Sequence, residues 1–179
     1  MLLPPERATN HKVTLHEILF SRESRQQRQH LWRANHQSTI ISLTMVVPGE
    51  VKDSVLSRKA FNQAWSEINQ LCHQQGWAIE SSEVFNLPTG PEGLLAIRQP
   101  AQVVKQACVV LEQNNALGRL WDIDVIGEQG IISRRDIGMP SRKCFICDLD
   151  ARICARQRTH SIQALHDAME ALFNHADII

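Results

Sequence analysis

Two aspartates stand one residue apart in the segment Gly118–Val125 (GRLWDIDV). The segment is apolar and β-branched enough to read as a strand, and strand side chains alternate between faces. Asp122 and Asp124 then point the same way, about 6–7 Å apart at the rise of a strand, while Trp121, Ile123 and Val125 point into a core. Such a pair can hold a hard divalent cation, Mg²⁺ above all, against the phosphates of a substrate. The metal neutralises phosphate charge and assists a departing pyrophosphate. A solvated strand face carrying two acids is the plain alternative. Crowding of like charges on an apolar strand favours a bound cation.

Cations flank the pair. Arg119 precedes it, and Arg134 and Arg135 follow on the strand expected next, so one of these two would share the aspartates' face across a hairpin. They could stabilise a triphosphate or simply neutralise an aspartate across the strands. Asp136 is a weaker third acid near that strand's end. Arg22, Arg25 and Arg28 recur every three residues on one helix face and could meet phosphate or an acidic protein, or only solvent. Lys52, Asp53 and Ser54 open a helix after Pro48 and Gly49, where free amides can hold a phosphate or be capped by Asp53.

A second constellation is Cys144-x₂-Cys147-x₆-Cys154-x₅-His160, which offers four ligands of the kind that hold zinc tetrahedrally. The longer intervals match no standard finger, and three reduced cysteines in a small satellite core would read the same. Cys72 and Cys108 fall on apolar helix faces and read as core. No Walker loop, dinucleotide fingerprint or Ser-His-Asp arrangement is present.

The 179 residues carry 19 basic and 19 acidic side chains, which gives no footprint of a nucleic-acid binder. The charge is segregated, however: net +3 over 1–36, −4 over 37–133 and +4 over 134–160, then three acids and no base. Two basic blocks in a neutral chain suit an anionic ligand or an acidic partner. Neither a signal peptide nor a membrane span is visible, so a cytoplasmic protein with reduced cysteines is expected.

The elements that must position these groups follow from local signals. Thr14 and Glu17 make a capping box, with Val13 and Ile18 as a hydrophobic staple, for a helix to about Asn35. Thr39–Val47 reads as a buried strand. Asp53 or Ser54 caps a helix whose stripe is Leu56, Ala60, Ala64, Ile68 and Leu71, closed by Gly76. Strands at Trp77–Phe85 and Leu94–Ile97 follow, then a helix opened by Pro100, then Leu120–Ile126 and, after a Gly127–Gly130 hairpin, Ile131–Ser133. This order predicts an α+β fold with the ferredoxin-like split βαβ pattern: an antiparallel sheet with both helices on one face and the other face free. One transferase domain would span 1–179, with an N-terminal helix over 14–36, the βαββαβ-β core over 39–135, and a Cys-rich loop and final helix over 136–179.

Six blocks together resemble the apo-citrate lyase phosphoribosyl-dephospho-CoA transferase family, also called holo-citrate lyase synthase. They are RESRQQRQ at Arg22–Gln29, PGEVKDS at Pro48–Ser54, GPEG at Gly90–Gly93, GRLWDIDV at Gly118–Val125, SRRD at Ser133–Asp136 and the Cys144–His160 cluster. GRLWDIDV followed by SRRD is the specific part. The resemblance implies transfer of a 2′-(5″-phosphoribosyl)-3′-dephospho-CoA prosthetic group from its triphosphate precursor to a serine of the apo acyl carrier (gamma) subunit of citrate lyase, with release of pyrophosphate. Asp122 and Asp124 would hold Mg²⁺, and Arg119, Arg134 and Arg135 would face the triphosphate. The basic blocks, including Arg22, Arg25 and Lys52, would meet donor and carrier. The general base stays open. Two other readings compete: a zinc-stapled, non-catalytic module that binds an acidic carrier protein, and a nucleotidyltransferase with another nucleotide as donor.

Overall fold

The structure is a computed structural model and describes residues 2–176; Met1 and residues 177–179, including Asp177 of the acidic tail, lie outside the described residues. The fold is α+β. Its strands are β1 (Thr39–Met45), β2 (Ile79–Phe85), β3 (Glu92–Ile97), β4 (Trp121–Gly127) and β5 (Gly130–Ile132). Its helices are α1 (Leu15–His36), α2 (Val55–Gln74), α3 (Ala101–Asn114), α4 (Ala151–Gln157) and α5 (Ile162–His175). The strands form one sheet in the order β2-β3-β1-β4-β5, with every neighbouring pair antiparallel.

The helix starts obey local chemistry. Thr14 accepts from the Glu17 amide while Glu17 accepts from the Thr14 amide, the expected capping box. Ser54 rather than Asp53 caps α2, and Asp150 caps α4, a short helix inside the segment expected to be a loop. Pro100 sits at the N-cap of α3 instead of inside its first turn. β1 stops at Met45, two residues before Val47, as the chain approaches Pro48.

One face of the sheet carries the main core. Ile41 and Leu43 of β1 with Trp121, Ile123 and Val125 of β4 pack against Phe61, Trp65 and Ile68 of α2 and against Val104 and Cys108 of α3. Met169 and Phe173 bring α5 into the same cluster. Each large side chain buried this way contributes about 1.5–3 kcal/mol. Cys72 and Cys108 are core as expected, and burial pushes their thiols up to about 11 and about 12.

The opposite face is not free, contrary to the reading from sequence. There α1 lies across β1 and β3: Trp32 packs on Ile40, Leu94, Ala96 and Ile126, and Gln29 donates to Ser42 Oγ at 2.8 Å. The reason is compositional. Ile40 of β1, Leu94 and Ala96 of β3 and Ile126 of β4 put an apolar patch on this second face as well, and it too needs cover. A second anchor fixes the N-terminal segment. Buried Arg58 makes a fork to buried Asp53 (2.6 and 2.8 Å), and its remaining donors reach Pro4 O and Asn86 Oδ1.

Candidate functional site

Asp122 and Asp124 share a face, as strand alternation requires, opposite Thr44 and Ser42 of β1. It is the face that α1 covers. Thr44 Oγ1 donates to Asp122 Oδ2 at 3.5 Å. The Asp122 side chain is 51% exposed, whereas Asp124 is half-buried under α1. Burial raises the Asp124 carboxyl above its ordinary pKa, and the charge of Asp122 raises it further, against the pull of Lys105 and Arg25. A crowded carboxylate pair of this kind, part open and part dry, fits a divalent cation.

Asp122 opens into a cleft of ≈ 250 Å³ between α1, the end of β1 and the loop before β3. Arg22 and Arg25 enter it from α1, and Lys52 enters from the chain after β1. Burial lowers the Lys52 ammonium and the neighbouring Arg22 charge lowers it further; its Nζ donates to Val47 O at 2.5 Å. Among the described residues Arg22 has no carboxylate partner. Two cations thus crowd one wall with Asp122 beside them. The third wall is the turn at Gly90, whose φ of +107 is a conformation L side chains avoid, and which passes close to the Lys52 backbone.

The arginine row of α1 divides its work. Buried Glu92 at the start of β3 accepts from Arg25 Nε at 2.9 Å and from Arg28, and Arg28 also stacks over Phe85. Ser21 bonds to Glu92 and to Thr89. Glu92 therefore clamps α1 to the sheet and leaves Arg22 for the cleft.

The cations expected around the aspartates are placed differently. β5 ends at Ile132, so Arg134 and Arg135 lie on a 3₁₀ turn after the strand and not on it. Arg134 turns towards α3 and donates to Glu112 at 2.5 Å, away from the aspartate face; Arg135 is exposed. Arg119 donates to Cys144 O at 2.5 Å. Asp136 binds Ser133 in the same exposed turn.

Two unforeseen cations stand beside the pair instead. Because β5 is short, the carbonyls of Ile123 and Trp121 extend beyond its end. Lys105 of α3 donates to Ile123 O at 2.8 Å, and Arg142 donates to Trp121 O and to Gly118 O. Arg142 also lies 4.0 Å from Asp122 and 3.5 Å from Glu112. Lys105 and Glu112 were visible in principle, being charges seven apart on the buried stripe of α3.

Cys144, Cys147, Cys154 and His160 come together with their ligand atoms all within 4.8 Å of one another. Burial raises the Cys144 thiol, but hydrogen bonds from the Ile146 and Cys147 amides and the adjacent thiols bring it below its ordinary value. A larger hollow of ≈ 520 Å³ lies at the other end of the sheet, around Arg33, Arg98 and Gln129, and holds none of the groups singled out above.

A carboxylate beside crowded cations in a cleft, with a second carboxylate next to it on the strand, is an arrangement that could receive a polyphosphate with its metal. Comparison with known proteins narrows this class. The family model of apo-citrate lyase phosphoribosyl-dephospho-CoA transferase matches residues 13–176. Proteins of that name from Escherichia coli O7:K1 and from Shigella boydii serotype 18 are each 44% identical over 178 residues, covering 99% of this chain and 97% of the relative. The chain belongs to the apo-citrate lyase phosphoribosyl-dephospho-CoA transferase family.

Proposed function

We propose that this protein transfers the 2′-(5″-phosphoribosyl)-3′-dephospho-CoA group from its triphosphate precursor to a serine of the apo acyl carrier subunit of citrate lyase, releasing pyrophosphate. The reading rests on the family and on one observation: Lys52 and Arg22 repel each other in a cleft whose remaining wall presents Asp122. A polyphosphate satisfies the cations, and a divalent cation satisfies the acids.

Asp122 and Asp124 are the residues that would hold Mg²⁺, which when bound neutralises the triphosphate and eases the departure of pyrophosphate. Arg22, Arg25 and Lys52 hold the triphosphate oxygens and orient the phosphorus next to the ribose for attack by the serine oxygen. The half-burial of Asp124 limits the access of water to its carboxylate. Arg119 and Arg134, tied to Cys144 O and Glu112, support the walls, while Arg135 is placed to meet the donor or carrier from the surface. The Cys144–His160 group is read as a zinc site. The β1-α2-β2-β3-α3-β4 portion is read as ferredoxin-like, within a single domain over 1–179. No helix among the described residues is long and apolar enough to cross a membrane, and the enzyme is assigned to the cytoplasm with its carrier.

The test is a mass shift. Protein, triphosphate donor, Mg²⁺ and apo-carrier should give one added phosphoribosyl-dephospho-CoA per carrier, with one pyrophosphate released. Carrier binding without mass gain, with or without Mg²⁺, would instead support a non-catalytic carrier-binding module.

A further inference from the structure

The geometry points to a zinc centre that works as a staple: Cys144, Cys147, Cys154 and His160 bind one ion, and that ion holds the segment from Met139 to His160 against the open edge of β4, beside Asp122. Four soft or borderline ligands converge within 4.8 Å, the set and spread of a closed tetrahedral site. The ligand groups already touch one another. The Ile146 amide donates to Cys144 Sγ at 3.5 Å, and His160 Nε2 lies 3.2 Å from Cys147 Sγ. Three elements supply the ligands: a loop, α4 and the residue before the N-cap of α5.

The segment has little else to fold around. Of its apolar side chains, Ile146, Leu149 and Ile153 are 38%, 46% and 51% exposed, Met139 and Phe145 are only half-buried, and the segment's buried residues are Cys144 and Cys154. Burial of apolar surface therefore contributes little to holding it, and a metal can supply the rest, because binding energy at a structural site is folding energy. Most polar ties from this segment run to the β4 end of the site, with a further one from Arg142 to Glu112 of α3. Arg119 donates to Cys144 O, while Arg142, two residues before the first ligand, donates to Gly118 O and Trp121 O and stands 4.0 Å from Asp122. The ion thus fixes where Arg142 sits relative to the acid pair. The staple itself does not depend on the transferase reading; only its value to Asp122 does.

The full chain, purified untagged without added metal, should carry one zinc per chain by elemental mass analysis, released when a mercurial blocks the thiols. Cobalt exchange should give the thiolate charge-transfer band and the visible bands of a tetrahedral site. Cys154 is buried and its loss could unfold the chain, so Cys147→Ser, at a half-exposed ligand, is the test variant. It should lose the zinc and become open to trypsin at Arg152, Arg156 and Arg158, where the parent is spared. Arg142→Gln should keep one zinc and the cobalt spectrum yet become open to trypsin, since the staple is intact but untied from β4. The proposal is overturned by substoichiometric zinc that reconstitution does not restore, by a disulfide among the three thiols, or by Cys147→Ser retaining both zinc and protection. None of these measurements uses donor or carrier, so a zinc-loaded protein that fails the mass-shift assay sinks the transferase reading and leaves the staple standing.

Discussion

Asp124→Asn separates a group kept for chemistry from one kept for stability. The substitution preserves shape and removes one charge. In the folded chain the Asp124 carboxyl has a raised pKa, first from burial and then from Asp122. A carboxyl whose folded pKa lies above its unfolded value costs no stability below the unfolded pKa. The cost grows as pH rises from the unfolded pKa to the folded one and is fully present above the folded pKa. The repulsion from Asp122 across roughly 6.5 Å is about 0.6 kcal/mol at the dielectric of water and about 2.6 kcal/mol at an effective dielectric of 20. Half-exposed Asp122 puts the expectation towards the lower end, about 1 kcal/mol. Without Mg²⁺ the variant should therefore melt about 2–4 °C higher than the parent at neutral pH, and the gain should vanish in acid. Added Mg²⁺ should raise the melting temperature of the parent and not of the variant. Transfer should fall by about a thousandfold, the equivalent of about 4 kcal/mol of lost charge stabilisation in the transition state. Scanning calorimetry with a pyrophosphate-release assay reads all of this. A variant that melts several degrees lower would mean that Asp124 is a structural residue. Near-normal pyrophosphate release would remove it from the chemistry.

Three other outcomes are expected. Arg58→Ala strands Asp53 as a bare buried charge and should cost about 3–5 kcal/mol in urea unfolding, with the midpoint shifted and any surviving folded protein still able to bind donor. Arg22→Ala and Lys52→Ala each remove a charged hydrogen bond to the donor, about 1.5–3 kcal/mol, so donor KM should rise roughly tenfold or more with the circular dichroism spectrum unchanged. Gly93→Ala would put a methyl 2.3 Å from the Trp65 ring and should destabilise by about 1–3 kcal/mol through overpacking, read as an earlier thermal midpoint with altered tryptophan fluorescence.

Much of the frame was legible because its signals are local. Thr14 with Glu17 marked the start of α1, and the stripe from Leu56 to Leu71 marked α2. The alternation around Asp122 and Asp124 placed both on one face. What sequence missed depends on contacts distant in the chain. Ile40, Leu94, Ala96 and Ile126 put apolar side chains on the second face of the sheet, yet nothing local said that α1 would cover them. Lys105 and Glu112 interrupt the buried stripe of α3, and their meaning appears only once Ile123 O and Arg134 are brought next to them. The expected placement of Arg134 on the strand failed because β5 is three residues long and ends at Ile132. Arg142 lay in a stretch read for its cysteines and its net charge, with no place of its own.

The brevity of β5 also bears on how the molecule behaves in a crowded solution. A strand with vacant outward carbonyls invites a foreign strand to add on, which is how sheets come to stick edge to edge. Here an ammonium and a guanidinium already occupy the oxygens of Ile123 and Trp121. The flank is blunted by charge, and a variant such as Lys105→Met would trade that protection for a tendency to self-associate.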